Sequence, residues 1–186
     1  NGMAKVRNNI VIKGLSGTLG DQLTIKRDKI GRTIVSVTPT YPEDRQFSAE
    51  QLTHQSDFKE ATTYAKTAAK TEEVYAEKAE GTAQSAYNIA VADWFHAPEI
   101  VEIDLSAWTG LAGQPIRVKA IDNVQVKQVT VVITDENDVM IEQGAAVSKD
   151  GLWWVYTTTA AASGQPKVVA SAADLPGHVA KMVKGK

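Results

Sequence analysis

The chain has 186 residues, of which 43% are apolar and 23% are charged, and its formal net charge at pH 7 is −2. These values are close to globular averages and exclude a disordered or fibrous protein, and no apolar run is long enough to span a bilayer. The absence of cysteine excludes disulfides and thiolate metal sites.

The first residues, NGMAKVRNNIVIKG, carry basic side chains but no apolar stretch typical of a secretory signal. Asn1 and Gly2 precede Met3, which we interpret as the natural start. On this interpretation we expect no export by the usual route. The protein would then lie in the cytoplasm or in a particle that leaves the cell by another route.

Charge is distributed unevenly along the chain. Residues 1–39 hold seven basic and two acidic side chains, a net charge of +5, whereas residues 40–97 hold five basic and ten acidic ones, a net charge of −5. The basic segment has no aromatic residue, so a nucleic-acid surface there would lack base stacking. The charges therefore favour contact between the two segments, within one chain or between copies, and no nucleic-acid partner.

The first 46 residues predict a β arm and a linker. Gln22–Arg27 alternates apolar and polar residues, Asp28–Gly31 follows as a turn, and the β-branched Arg32–Thr38 is the returning strand. An earlier strand is predicted at Asn9–Lys13. The intervening GLSGTLG is interpreted as a turn, because no Gly-Lys-Ser/Thr follows to make it a phosphate loop.

Residues 47–97 predict either a helical hairpin or three short helices. Ser48 and Gln51 have the spacing of a capping box, and Pro98 prevents continuation of the last helix. The first helix carries a narrow apolar stripe, Leu52, Phe58, Ala61, Ala65 and Ala68. A second helix is expected from Thr71 to Gly81, and a third from about Ser85 to Phe95.

The region after Pro98 consists of short β-rich runs separated by turn residues. Seven strands are predicted, at Ile100–Leu105, Ile116–Ile121, Val126–Thr134, Val139–Val147, Leu152–Thr159, Lys167–Ala172 and Val179–Val183. This spacing is typical of an antiparallel β-sandwich. The predicted fold class is α+β: a β-hairpin arm and a helical segment, followed by a seven-stranded immunoglobulin-like sandwich.

Three sequence features of this region suggest a family. Ala120-Ile121-Asp122 ends an early strand, GLWWVYTTT is a central aromatic strand, and VVASAADLPGH closes the pattern. In these features residues 99–183 resemble the bacterial immunoglobulin-like modules of surface and phage-derived proteins. His178 and Asp138 depart from the pattern, which usually has Asn and Gly there. The combination with residues 1–98 resembles that of an uncharacterised bacterial family, which implies no function.

Composition changes from Ala/Glu-rich to Val/Thr-rich near Ala97–Glu99. We therefore predict two structural units. Residues 1–46, the β arm and linker, and residues 47–97, the helical segment, form one N-terminal unit. Residues 99–186 form the immunoglobulin-like sandwich.

No enzyme chemistry is indicated by the sequence. His54, His96 and His178 lie one per region without metal-ligand spacing, and no nucleophile or metalloprotease motif occurs. We therefore predict that the protein is not an enzyme, has no catalytic residues and needs no cofactor.

Three aspartates suggest a weak candidate calcium site. Asp104, Asp122 and Asp174 each end a predicted strand, so two or three of them could meet at one pole of the sandwich. Calcium takes six or more oxygen ligands, and one carboxylate at each strand end provides too few of them. The favoured alternative is that each aspartate accepts a backbone N–H within its own turn.

Trp153 and Trp154 are adjacent in one strand and must face opposite sides of the sheet. The bulkier set, Leu152, Trp154 and Tyr156, is predicted to face the core. Trp153 is then on the outer face, where the favoured interpretation is cover by the N-terminal helices. The alternative is a docking or sugar-stacking spot, with Trp153 and Trp108 as tentative binding residues.

The leading functional hypothesis is a non-enzymatic structural or protein-interaction protein, part of a phage-derived or surface assembly. The alternative is a carbohydrate- or surface-binding module that uses exposed aromatic residues. We expect a protein partner or self-association, in which an edge strand such as Arg32–Thr38 pairs with another subunit. No nucleic acid and no membrane span are expected.

Overall fold

The computed structural model describes residues 3–6, 15–20, 22–28, 30–41 and 46–186. The predicted strand at Asn9–Lys13 lies outside the described residues. The chain divides into two compact units, Asn1–Ile89 and Ala90–Lys186. The expected proteolytic boundary near Ala97–Glu99 stays a prediction.

The N-terminal unit contains a four-stranded antiparallel sheet with the strand order β1-β4-β3-β2. Its strands are β1 (Met3–Val6), β2 (Gly17–Leu19), β3 (Leu23–Arg27) and β4 (Thr33–Val37). Two expectations are corrected here. The strand predicted at Arg32–Thr38 is not an edge strand, because β4 pairs with both β1 and β3. The segment interpreted as a turn contains β2, which pairs with β3.

The β3–β4 hairpin confirms the turn predicted at Asp28–Gly31. The Asp28 carboxylate accepts the backbone N–H of Arg32 at 2.7 Å and that of Ile30 at 3.2 Å. Gly31 has a φ of 80°, which a glycine adopts without steric cost. The turn therefore forms because the aspartate accepts the donors of the loop and the glycine supplies the left-handed residue.

Three helices follow, α1 (Ala49–Thr71), α2 (Glu73–Ala79) and α3 (Ala86–Trp94). The predicted capping box is confirmed: Gln51 N donates to Ser48 Oγ at 3.2 Å, and Ser48 N donates to Gln51 Oε1 at 3.1 Å. Tyr64 of α1 and Tyr75 of α2 join these two helices by a hydrogen bond of 2.8 Å between their hydroxyl groups.

The predicted apolar stripe of α1 is buried over only part of its length. Ala61, Ala65 and Ala68 are at most 5% exposed, whereas Leu52 and Phe58 are 54% and 50% exposed. Small side chains allow close approach of a neighbouring element, which explains the burial of the alanines. The first half of α1 leaves its larger apolar side chains at the surface.

The C-terminal unit contains two antiparallel four-stranded sheets with the strand orders β5-β6-β10-β9 and β12-β11-β7-β8. The strands are β5 (Glu99–Asp104), β6 (Pro115–Ile121), β7 (Val126–Thr134), β8 (Met140–Ala145), β9 (Val147–Ser148), β10 (Trp153–Thr157), β11 (Lys167–Asp174) and β12 (Val179–Gly185). These orders correspond to the ABED and GFC sheets of an immunoglobulin-like domain, with β8 added beside strand C. The predicted α+β class with this sandwich is confirmed.

Eight strands replace the predicted seven because one predicted strand divides. The run Val139–Val147 becomes β8, which pairs with β7, and β9, which pairs with β10 of the other sheet. Ala146 lies between them, is 7% exposed, and donates its N–H to the carbonyl of Val129 at 2.8 Å. The chain thus crosses from one sheet to the other at this alanine.

The core of the sandwich comes from inward-facing residues of both sheets. Val129, Val131 and Ile133 of β7 are fully buried, as their alternation predicts. Trp154 and Tyr156 of β10 are 8% and 6% exposed, which confirms their predicted inward direction. None of the helices in the described part of the chain is long and apolar enough to cross a membrane.

Candidate functional site

Trp153 lies on the outer face of the β5-β6-β10-β9 sheet and is half-buried. The guanidinium carbon of Arg117 lies 4.8 Å from the centroid of its ring, and the ammonium nitrogen of Lys119 lies 5.8 Å away. Both cations come from β6, where Lys119 is the cross-strand partner of Trp153. Two cationic side chains of the neighbouring strand therefore lie against this ring.

Trp108, the second tentative binding aromatic, is not at the surface. Its side chain is 2% exposed and belongs to the core cluster of the sandwich. The turn after β5, in which Trp108 N donates to the carbonyl of Leu105 at 3.0 Å, carries the indole into the interior. This corrects the expectation of an exposed stacking residue, since a core ring offers no face to a sugar.

The three candidate calcium ligands act as acceptors within their own turns. Asp104 accepts the N–H of Ser106 at 2.9 Å, and Asp122 accepts those of Val124 and Gln125 at 2.9 and 2.8 Å. In the described residues, no group of three or more histidine, aspartate or glutamate side chains is arranged to hold a metal ion. These contacts agree with the favoured alternative, in which each aspartate accepts a backbone N–H within its own turn.

Asp174 makes more contacts than Asp104 or Asp122, and one of its partners is a side chain that the sequence analysis did not predict. Its carboxylate is buried and accepts the backbone N–H groups of Gly177 and His178 at 2.7 and 2.6 Å. The Nδ1 atom of His178 lies 3.0 Å from Asp174 Oδ2. The spacing of four residues across a tight turn was the available signal for this pair.

The three aspartates are divided between the two poles of the sandwich. Asp104 is the register partner of Arg117 near the beginning of β6, whereas Asp122 follows the end of the same strand. Asp174 pairs with Val126 at the beginning of β7, which the loop of Asp122 leads into. Asp122 and Asp174 therefore share one pole, and Asp104 lies at the other.

A polar cluster inside the sandwich was missed by sequence reasoning. Glu142 of β8 is 9% exposed, and its Oε2 atom accepts four hydrogen bonds. The donors are Thr159 Oγ1 at 2.6 Å, Thr159 N at 2.8 Å, Tyr156 Oη at 3.0 Å and Ala160 N at 3.2 Å. The signal was a tyrosine predicted to face the core, because a buried hydroxyl requires a partner.

The cluster shifts the pKa values of its two titratable members, Glu142 and Tyr156. Burial raises the pKa of Glu142, but the hydrogen bonds from Thr159, Tyr156 and Ala160 outweigh burial and hold that pKa below its ordinary value of 4.5. Burial and the adjacent Glu142 carboxylate raise the pKa of Tyr156 above its ordinary value of 10.0. Glu142 belongs to β8 and Tyr156 to β10 of the opposite sheet, so the hydrogen bond between them joins the two sheets.

The N-terminal sheet has one apolar face. Because directly paired residues of an antiparallel sheet share a face, Leu19, Leu23, Ile25, Val35 and Val37 lie on the same side. Ile25 is 6% exposed, but Leu19 is 63% and Val37 is 55% exposed. This face is named here the β-arm face, and among the described residues of the sheet only Ile25 and Thr33 are buried.

No family model matches the chain, and no curated protein matches it. Three solved structures show weak similarity. CopC from Methylosinus trichosporium OB3b is 15% identical, with a TM-score of 0.37 over 47% of this chain and 89% of that one.

An engineered protein is 16% identical, with a TM-score of 0.34 over 54% of this chain and 26% of that one. A conjugative transposon lipoprotein from Bacteroides eggerthii DSM 20697 is 10% identical, with a TM-score of 0.26 over 47% of this chain and 92% of that one.

Proposed function

We propose that the chain is a non-enzymatic structural protein that associates with copies of itself through the β-arm face. The observation that carries the proposal is the exposure of Leu19 and Val37 beside the buried Ile25. An isolated sheet of few strands needs a hydrophobic backing to be stable, and a contiguous exposed apolar face marks an interaction surface. A second copy would supply that backing.

Charge supports a second copy over an unrelated partner. Residues 1–39 carry a net charge of +5 and residues 40–97 one of −5, so each chain offers both members of a complementary pair. The edge strand β2 adds main-chain groups that could extend the sheet into a neighbour. Association of identical chains would therefore combine apolar burial with attraction between opposite charges.

The C-terminal sandwich has a different role in this proposal from that of the N-terminal unit. Its resemblance to bacterial immunoglobulin-like modules suggests a unit displayed on the surface of a phage-derived or other assembled particle. In this proposal the N-terminal unit supplies the contacts between copies.

Sedimentation velocity with a matched pair of variants tests the proposal. Leu19→Glu places a charge on the β-arm face, whereas Thr18→Glu places the same charge on the opposite face of the same strand. We expect the native chain and Thr18→Glu to form an oligomer and Leu19→Glu to sediment as a monomer. A native chain that stays monomeric at every concentration, or equal association of both variants, would contradict the proposal.

A second candidate function is the binding of an acidic carbohydrate at Trp153. It is favoured by Arg117 and Lys119, which place two cations beside an aromatic ring on the outer face of the sheet. Glycan-array binding lost in Trp153→Ala and retained in Val183→Ala, an exposed residue of the other sheet, would support it. Absence of binding to every acidic glycan would exclude it.

A further inference from the structure

The first half of α1 is exposed on every side. All residues from 49 to 60 are exposed, whereas Ala61, Ala65 and Ala68 in the second half are buried. Isolated helices of about 12–15 residues are only marginally stable in water, and most helices in proteins are stabilised by packing of an apolar face. We name residues 49–60 the exposed half of α1, and it offers a helical surface to a partner.

Phe58 is the apolar centre of this exposed half. It is 50% exposed, and it lies on the same side of the helix as the buried Ala61 and Ala65, three and seven positions further on. Glu50 and Asp57 are seven positions apart, so they lie in one row along the flank of Phe58. The exposed half carries three acidic side chains and one basic side chain, a net charge of −2.

The β-arm face has a matching length and a positive charge at its rim. Twelve helical residues extend about 18 Å, and a strand of five residues, such as β3 or β4, extends about 17 Å. Arg27 is exposed and lies on the same side of the sheet as Ile25, two positions before it in β3. One helix of this length can therefore lie along the apolar residues with its acidic row beside Arg27.

The exposed half of α1 leaves the β-arm face of its own chain open. Leu19, Val37 and Phe58 are 63%, 55% and 50% exposed. Charge favours contact of the two surfaces between copies over either symmetric pairing. Two β-arm faces would bring together two segments of charge +5, and two exposed halves would bring together two surfaces of charge −2. Only the helix against the sheet joins opposite charges.

We propose that the exposed half of α1 in one copy docks lengthwise on the β-arm face of the next copy. Phe58 packs against the apolar residues, and Glu50 and Asp57 lie towards Arg27. This inference rests on the proposed self-association and names the second surface that takes part in it. Because the two surfaces differ and each copy carries one of each, the contact repeats from copy to copy and builds a ring or a filament.

Complementation between two variants of the full chain tests the proposal. Phe58→Glu disrupts the helix surface and Leu19→Glu disrupts the β-arm face, and both replace exposed side chains, so the fold is retained. In sedimentation velocity, each variant alone should associate at least about tenfold more weakly than the native chain. An equimolar mixture should form dimers, because the intact helix of one variant fits the intact face of the other. These dimers should not grow, since their remaining surfaces each carry the new glutamate.

Ser56→Glu is the matched control, and circular dichroism verifies the fold of every variant. Ser56 is exposed and lies about 160° around the helix from Phe58, so this variant should associate like the native chain. Association of the native chain without dimers in the mixture, or equal effects of Ser56→Glu and Phe58→Glu, would overturn the helix contact and leave self-association through the β-arm face standing. A native chain that stays monomeric would overturn both.

Discussion

Gly144 of β8 lies against the ring of Tyr156 of β10, so closely that a β-carbon on Gly144 would be 2.6 Å from Cε2 of that ring. The two strands belong to different sheets of the sandwich. Glu142, two residues before Gly144, accepts the hydroxyl of the same tyrosine at 3.0 Å. Tyr156 is therefore fixed by a steric limit on its ring and by a hydrogen bond at its tip.

The contact predicts that Gly144→Ala destabilises the sandwich by about 1–3 kcal/mol, the usual cost of overpacking a core. The tyrosine cannot move away freely, because its hydroxyl is held by Glu142. Gly185→Ala in β12 is the matched control, since a β-carbon there would meet nothing within 4 Å. Urea unfolding measures both free energies, and equal values for the two variants would contradict the steric argument.

The ionisation of Glu142 predicts a dependence of stability on acid. Its folded-state pKa is lowered, so its stabilising contribution is present above the unfolded-state pKa and is lost as the pH falls through the folded-state value. The free energy of unfolding of the native chain should exceed that of Glu142→Gln at neutral pH. We expect this difference to shrink below pH 4.5, the ordinary pKa of the group. A difference that grows in acid would mean that the carboxyl group is protonated in the folded protein.

The two adjacent tryptophans should differ in their contribution to stability. Trp154→Ala empties a core site and should lower the free energy of unfolding of the sandwich by about 3–5 kcal/mol. Trp153→Ala removes a half-buried ring and its two cation contacts, each worth about 0.5–1 kcal/mol at an exposed site, and should cost clearly less. Chemical denaturation compares them, and equal losses would mean that both faces of β10 are buried.

Removal of residues 1–39 should abolish association and leave the sandwich folded. The deleted segment contains the β-arm face and the net charge of +5, whereas the sandwich core consists of residues 100–172. In the native chain, higher ionic strength should weaken association, because part of the attraction is between exposed charges. Sedimentation detects both effects, and circular dichroism detects the fold. Oligomers that persist after the deletion would place the interface elsewhere.

The segment between α3 and β5 should be the preferred site of proteolytic cleavage. Residues 95–97 are exposed and belong to no helix or strand, and Phe95 is 41% exposed. We expect chymotrypsin to cut after Phe95 and to leave a β-rich fragment that begins at His96. Mass spectrometry of the fragments identifies the site, and initial cleavage inside the sandwich would contradict the two-unit organisation.

The local elements of this chain were predictable because they depend on neighbours in sequence. A strand sends adjacent residues to opposite faces, so the inward direction of Trp154 follows from alternation and bulk. A capping box pairs a serine or threonine with a glutamate or glutamine three positions later, so the N-cap of α1 at Ser48 was also determined locally. The same holds for the hairpin turn at Asp28 and Gly31.

The tertiary structure decided the contacts between residues that are distant in sequence. Whether Arg32–Thr38 is an edge strand depends on β1, which pairs with it from the beginning of the chain. The division of Val139–Val147 at Ala146, the burial of Trp108 and the meeting of Glu142 with Tyr156 each require a second sheet in position. Periodicity determines which way a side chain faces relative to its own strand, whereas its partners depend on how separate strands pack against one another.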